Sequence, residues 1–130
     1  MKYAVIGARL LLGLVFTVFG LSGFLDAIGS HGFIHGPAPS GDAGTMAGIL
    51  MSSHWMVVVK ICEISGGVLV LTGLNVPMGL TFLTPVLVNI LCFHAFLEPS
   101  GLPMALILIA LDGFLISQNW GAFRGIVSRG

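Results

Sequence analysis

Lys60 and Glu63 stand three residues apart in VVVKICEISGGVLVLTG (Val57–Gly73), a run with no other charge. That spacing puts both on one stripe of a helix, which Gly67 continues. Side by side in an apolar medium, an ammonium and a carboxylate can pair, hold a polar head group, or relay a proton. Asn89, His94 and Asp112 stand in apolar runs further along. Their chemistry extends the set: Lys60 can donate to a carbonyl, Asn89 and His94 can orient a ring by hydrogen bonds, and Glu63 or Asp112 can relay protons. No catalytic residue is assigned within this set.

The medium around these groups is lipid. Of 130 residues, 56% are hydrophobic and 8% charged, with a mean hydropathy of +1.07. A soluble domain carries roughly 25% charged residues, so this chain could not clothe its own surface with polar groups. Its length suits a single domain over residues 1–130. Net charge is zero and no basic run is present, which leaves nucleic acid without an electrostatic footprint to bind. Cys62 and Cys92 lack metal or redox spacing and read as small buried hydrophobes. His31, His35 and His54, with Asp26 or Asp42, carry no enforced helical spacing, so no metal is assigned to them.

Crossing a bilayer takes about 20 apolar residues per helix. Residues 4–25, 55–74, 77–97 and 102–120 each meet that length. Asn75-Val76-Pro77 and Glu98-Pro99-Ser100-Gly101 are tight turns, so the last three spans run antiparallel to one another. The expected fold is all-α, an integral membrane four-helix bundle. One long connection, Asp26–Ser53, joins the first two spans; Thr45–Met51 within it suits a short interfacial helix, with Gly41-Asp42 as its start signal. Lys2 and Arg9 flank the first span, Arg124 and Arg129 follow the fourth, and neither the long connection nor the Glu98 turn holds a Lys or Arg. The positive-inside rule then predicts both termini in the cytoplasm, N-in and C-in, with the long loop facing outward.

Depth groups the polar residues. At about 1.5 Å per residue, Lys60 lies roughly 8 Å below the outer boundary, Glu63 and Asn89 roughly 12 Å, His94 roughly 5 Å and Asp112 roughly 15 Å. All fall in the outer half of the bilayer. A charge facing lipid costs at least about 2.5–3.5 kcal/mol, so the stripe should face the bundle interior. There Lys60 and Glu63 can pair with each other, with Asp112 or with Asn89. In the first span Arg9, Gly13, Phe16, Gly20 and Gly23 share a stripe whose small residues admit a neighbouring backbone. The polar layer is either a set of interhelical bonds that fixes register or a pocket that holds a ligand.

RLLLGLVFTVFGLSGF in the first span, KICEISGGVLVLTG with its K-x-x-E-x-x-G-G order, and NVPMGLTFLTPVLVNILCFHAFLEPSGLP together resemble the DoxX family of small bacterial membrane proteins. The resemblance covers nearly the whole chain apart from Asp26–Ser53. It implies a four-helix domain in the bacterial cytoplasmic (inner) membrane, with Arg9, Lys60, Glu63, Gly66, Gly67, Asn89 and His94 as motif residues. The family's relatives include a subunit of thiosulfate:quinone oxidoreductase, so the resemblance implies a redox neighbourhood. The expected function is an accessory or structural subunit of a membrane-bound electron-transfer complex, with no intrinsic cofactor and no catalysis on its own. Its expected partners are the lipid bilayer and other membrane protein subunits. The alternative is a quinone- or lipid-headgroup-binding oxidoreductase component that uses Lys60, Glu63, Asn89 and Asp112. A transporter fits less well, because Pro85 is one possible helix break and no matching half accompanies it.

Overall fold

Glycine, proline and asparagine punctuate the apolar runs and set where each helix stops. The computed structural model describes residues 1–128; Arg129, counted above among the C-terminal cations, lies outside the described residues. Helix α1 spans Lys2–Ala27, α2 Gly41–Ser52, α3 Trp55–Thr72 and α4 Val76–Phe96. A 3₁₀ turn, Pro99–Gly101, leads into α5, Leu102–Gln118, and α6 follows at Trp120–Val127. No strand occurs among the described residues. Four helical stretches are long and apolar enough to cross a membrane, the mark of a multi-pass membrane protein.

The ends have local causes. Helix α3 stops at Thr72 because Gly73 takes the left-handed conformation, φ 75°, and its N–H bonds back to the Leu69 carbonyl. Arg9 of α1 reaches this same end: its Nε donates to the Val70 carbonyl at 3.2 Å. Asn75 starts α4 by accepting from the Met78 N–H at 3.1 Å, with Pro77 in the first turn. The fourth expected span is divided: α5 ends at Gln118, and Asn119 donates to the Leu115 carbonyl before α6 begins. In the long connection the helix starts at Gly41, four residues before Thr45.

Helix directions follow from which residues meet. Along α1 and α3, Arg9 meets Val70, Gly13 meets Leu71, Gly20 meets Ile64 and Gly23 meets Lys60, so the two run antiparallel. Gly66 of α3 lies against Gly79 and Leu83 of α4, and Thr84 of α4 bonds Asp112 of α5. Helix α5 returns against α1, and the ring of four closes around Leu12, Phe16, Val70, Leu80, Leu83, Leu87 and Leu115. Outside that core the surface stays apolar, with Leu10, Leu14, Phe19, Val58, Ile61, Val88, Leu106 and Ile107 all exposed. Water would penalise such a coat, and lipid would not.

Adjacent glycines serve different partners. A Cβ on Gly66 would come within 2.9 Å of the Gly79 carbonyl, while one on Gly67 would sit 2.7 Å from the Thr17 amide nitrogen. Consecutive helical positions are about 100° apart, so the pair lets α4 and α1 each approach α3 at backbone distance.

Ser22 holds the long connection to α1. Its buried hydroxyl accepts the N–H groups of Phe33 at 3.0 Å and Ile34 at 2.9 Å, and Asp26 accepts from Gly32 at 2.9 Å. Removing the hydroxyl takes away two hydrogen bonds to a partly exposed connection, each worth about 0.5–1.5 kcal/mol. Ser22→Ala should therefore release residues 31–35, seen as faster amide exchange there and unchanged exchange in α3 and α4. Unaltered exchange at Phe33 and Ile34 would contradict the anchoring role.

Candidate functional site

A cavity of about 410 Å³ lies between α3 and α4, beneath α2. Its apolar wall comes from Met46, Ala47 and Leu50 of α2, Trp55, Met56 and Val59 of α3, and Val86, Ile90 and Phe93 of α4. Four polar side chains complete it: Lys60, Glu63, Asn89 and His94. Helix periodicity explains the α3 contribution, since residues 56, 59, 60 and 63 repeat at three- and four-residue steps along one face.

Lys60 Nζ donates to Glu63 Oε2 at 2.9 Å. Glu63 is 3% exposed, whereas the Lys60 side chain keeps 19%. Two glycines of α1 make the room: a Cβ on Gly20 would lie 3.2 Å from the Glu63 Cβ, and one on Gly23 would lie 3.1 Å from Lys60 Nζ. Of the pairings open to Lys60, the bundle forms the one within its own helix.

The pair is not chemically exhausted. No buried side-chain nitrogen or oxygen among the described residues lacks a partner, yet no protein group engages Glu63 Oε1. That oxygen is therefore reached from the cavity. Lys60 spends one N–H on Glu63 and retains two. The cavity thus offers an acceptor and donors beside each other in a half-open, largely apolar cleft.

Asn89 is exposed and its Nδ2 donates to the Pro85 carbonyl at 2.9 Å, which leaves Oδ1 for a ligand. His94 Nδ1 lies 2.9 Å from the Glu98 carbonyl. Because a carbonyl can only accept, Nδ1 carries a proton and donates it here. Phe93 meets the imidazole edge-on, with ring centroids 5.3 Å apart.

Asp112 is the exception within the polar layer: it does not line the cavity. It is 2% exposed on α5 and meets Thr84 of α4, with Oδ2 2.9 Å from the hydroxyl. Thr84 also lies 2.7 Å from the Leu80 carbonyl. One hydroxyl proton serves one of these contacts, so both are satisfied together only when the carboxyl supplies the second. Thr84 and Asn89 are five residues apart, roughly 140° around α4, and so belong to opposite sides of it. The expected grouping of Asp112 with Lys60, Glu63 and Asn89 therefore does not form: Asp112 meets Thr84 between α4 and α5.

Several contributors had little signal in the sequence. Thr84 bonds the carbonyl four residues back, as Thr17, Thr72 and Thr81 do, and nothing in its local sequence sets it apart as the one that also meets a carboxyl. Met46, Ala47 and Leu50 join the cavity only because α2 folds over it. Among the remaining groups, Cys62 is half-buried, and Cys92 is exposed on α4 rather than buried as expected. His35 Nε2 lies 3.4 Å from Asp26 Oδ1, and no three metal-ligating side chains converge among the described residues. Comparison with known proteins returns no match to a family model, a curated protein or a solved structure.

Proposed function

We propose that the chain is a multi-pass protein of the bacterial cytoplasmic membrane, of DoxX type, whose cavity between α3 and α4 binds the head of a quinone. The carrying observation is the Lys60–Glu63 pair, which turns an unengaged carboxylate oxygen and spare ammonium protons into an apolar cavity. A volume of about 410 Å³ falls within the usual range of small-molecule sites, about 300–1,000 Å³. Lys60 donates to a ring carbonyl, Glu63 accepts from the hydroxyl of the reduced form, and Asn89 contacts the opposite edge. A lipid phosphate suits the site less, because the pair has no net charge and would set Glu63 against the anion.

Charge supports the orientation. Lys2, Arg9 and Arg124 gather at one end of the bundle, while Asp26, Asp42 and Glu98 mark the other. The first end is cytoplasmic and the long connection faces outward. The protein works as a component of a membrane redox assembly in which partner subunits supply electrons. Its broad exposed apolar faces suit either lipid or such partners.

Extraction of the protein purified in mild detergent tests the ligand. The wild type should retain quinone, and Glu63→Gln should weaken retention roughly 10- to 150-fold, the equivalent of about 1.5–3 kcal/mol for a hydrogen bond to a charged group. Equal quinone content in both proteins, with normal helicity, would sink the reading. Bound phospholipid in place of quinone would transfer the site to lipid head groups.

A further inference from the structure

Helix α6 has two unlike sides. At about 100° per residue, Ala122, Ile126, Phe123, Val127 and Trp120 follow one another around about 160° of its circumference. Gly121, Arg124 and Gly125 occupy the remainder. The two sides meet different surroundings. Phe123, near the middle of the apolar arc, packs against the bundle core, whereas Trp120, Ile126 and Val127 on its flanks are exposed. On the other side a Cβ on Gly121 or Gly125 would find nothing within 4 Å, and Arg124 is exposed.

The position of α6 in the chain sets this division at a membrane boundary. The stretch Pro99–Gln118 is 20 residues long, enough at about 1.5 Å per residue to cross a hydrocarbon core of about 30 Å. Asn119, with φ −114° and ψ 23°, then interrupts the helix. Helix α6 thus begins where the hydrocarbon has been crossed, and the contact of Phe123 with the core keeps it against the bundle.

Charge distinguishes this end of the bundle. Lys2 and Arg9 of α1 share it with Arg124, and none of the five carboxylates does. Asp26, Asp42 and Glu98 mark the opposite end, Glu63 pairs with Lys60, and Asp112 is buried against Thr84. A chain of zero net charge therefore carries one positive end. Arg9 already donates to the Val70 carbonyl, while no ion pair reaches Arg124 among the described residues. Arg124 lies about 40° from Trp120 around α6, at the edge between its two sides.

We propose that α6 is an anchor along the membrane surface that gathers anionic phospholipid. Trp120, Ile126 and Val127 enter the boundary between head groups and acyl chains, as the apolar side of an interfacial helix does. Arg124 bonds lipid phosphate from the polar edge. Place and charge both favour this occupant: lipid surrounds the span that α6 follows, and anionic head groups supply the negative charge that this end lacks. The proposal is independent of what the cavity between α3 and α4 holds.

Trp55 and Trp120 are the only tryptophans, so Trp55→Phe leaves Trp120 as the sole tryptophan reporter. The full chain is held in nanodiscs of phosphatidylglycerol and phosphatidylcholine in equal parts, with bromine on the acyl chains of one lipid at a time. Bromine near the ester should quench Trp120 more than bromine near the chain terminus. Brominated phosphatidylglycerol should quench more than brominated phosphatidylcholine, with a local enrichment of about fivefold, equivalent to about 1 kcal/mol for one cation near an anionic surface. Arg124→Gln should remove most of that preference and keep the shallow quenching, whereas Arg124→Lys should keep both. Equal quenching by the two lipids, or a preference undiminished in Arg124→Gln, would overturn the anionic selection. Trp120 untouched by bromine at either depth would show that protein covers α6, and stronger quenching from the chain terminus would show that α6 lies in the hydrocarbon. Either result would overturn the anchor.

Discussion

Gly67→Val should leave the protein inserted but unable to hold α1 against α3, at a cost of about 3 kcal/mol, the upper end for overpacking, or more. The obstacle is backbone: a Cβ on Gly67 would lie 2.7 Å from the Thr17 amide nitrogen and 3.1 Å from the Gly13 carbonyl. A flexible side chain could swing aside, but a helix axis must move. Separating the two helices also moves Gly20 and Gly23 from Glu63 and Lys60, so the site should open with the packing. Gly113 provides the contrast, because nothing lies within 4 Å of its Cβ direction. Gly113→Ala should be neutral or stabilising by up to about 1 kcal/mol, since glycine within a helix costs conformational entropy. Unfolding in mixed micelles titrated with sodium dodecyl sulfate measures both. A Gly67→Val protein as resistant as the wild type would refute the close approach.

Lys60→Met should destabilise by about 3–5 kcal/mol, because it leaves Glu63 buried without its counter-charge. Glu63→Gln should cost less. Lys60 retains 19% side-chain exposure against 4% for Glu63, and its four-carbon stem can carry the ammonium towards the nearer membrane interface. The double variant Lys60→Met/Glu63→Leu should recover most of the loss, since exchanging a buried pair for apolar groups is often neutral. It should nevertheless retain no quinone. The same micelle titration resolves the ranking: Lys60→Met below Glu63→Gln, with the double variant near the wild type. Equal losses in the two single variants would show that the pair is symmetrically solvated and that the buried setting of Glu63 has little energetic weight.

Stability and binding thus draw on the pair in opposite ways. An apolar replacement could satisfy the bundle, whereas the polar pair gives the cavity a charged donor and a charged acceptor side by side. The retained cost of burying Lys60 and Glu63 is the physical reason to place ligand chemistry there.

Much of the architecture lay in the sequence, because lipid imposes one-dimensional requirements. About 20 apolar residues are needed per span, and backbone polar groups must be satisfied within each helix. Asn75-Val76-Pro77 and the Glu98 turn then left little freedom in how α3, α4 and α5 connect. Residue spacing also put Lys60, Glu63 and Gly67 on one face. What spacing could not supply was the identity of the neighbour across each face. Gly66 and Gly67 are adjacent in sequence yet meet α4 and α1 respectively. Asp112, expected near the depth of Glu63, meets Thr84 across the α4–α5 contact instead. Met46, Ala47 and Leu50 reach the cavity through the fold of a connection whose sequence fixes no distance to α4. Helix period and hydrophobic length are properties of the chain alone; which helices adjoin, and what space remains between them, depends on packing among residues far apart in sequence.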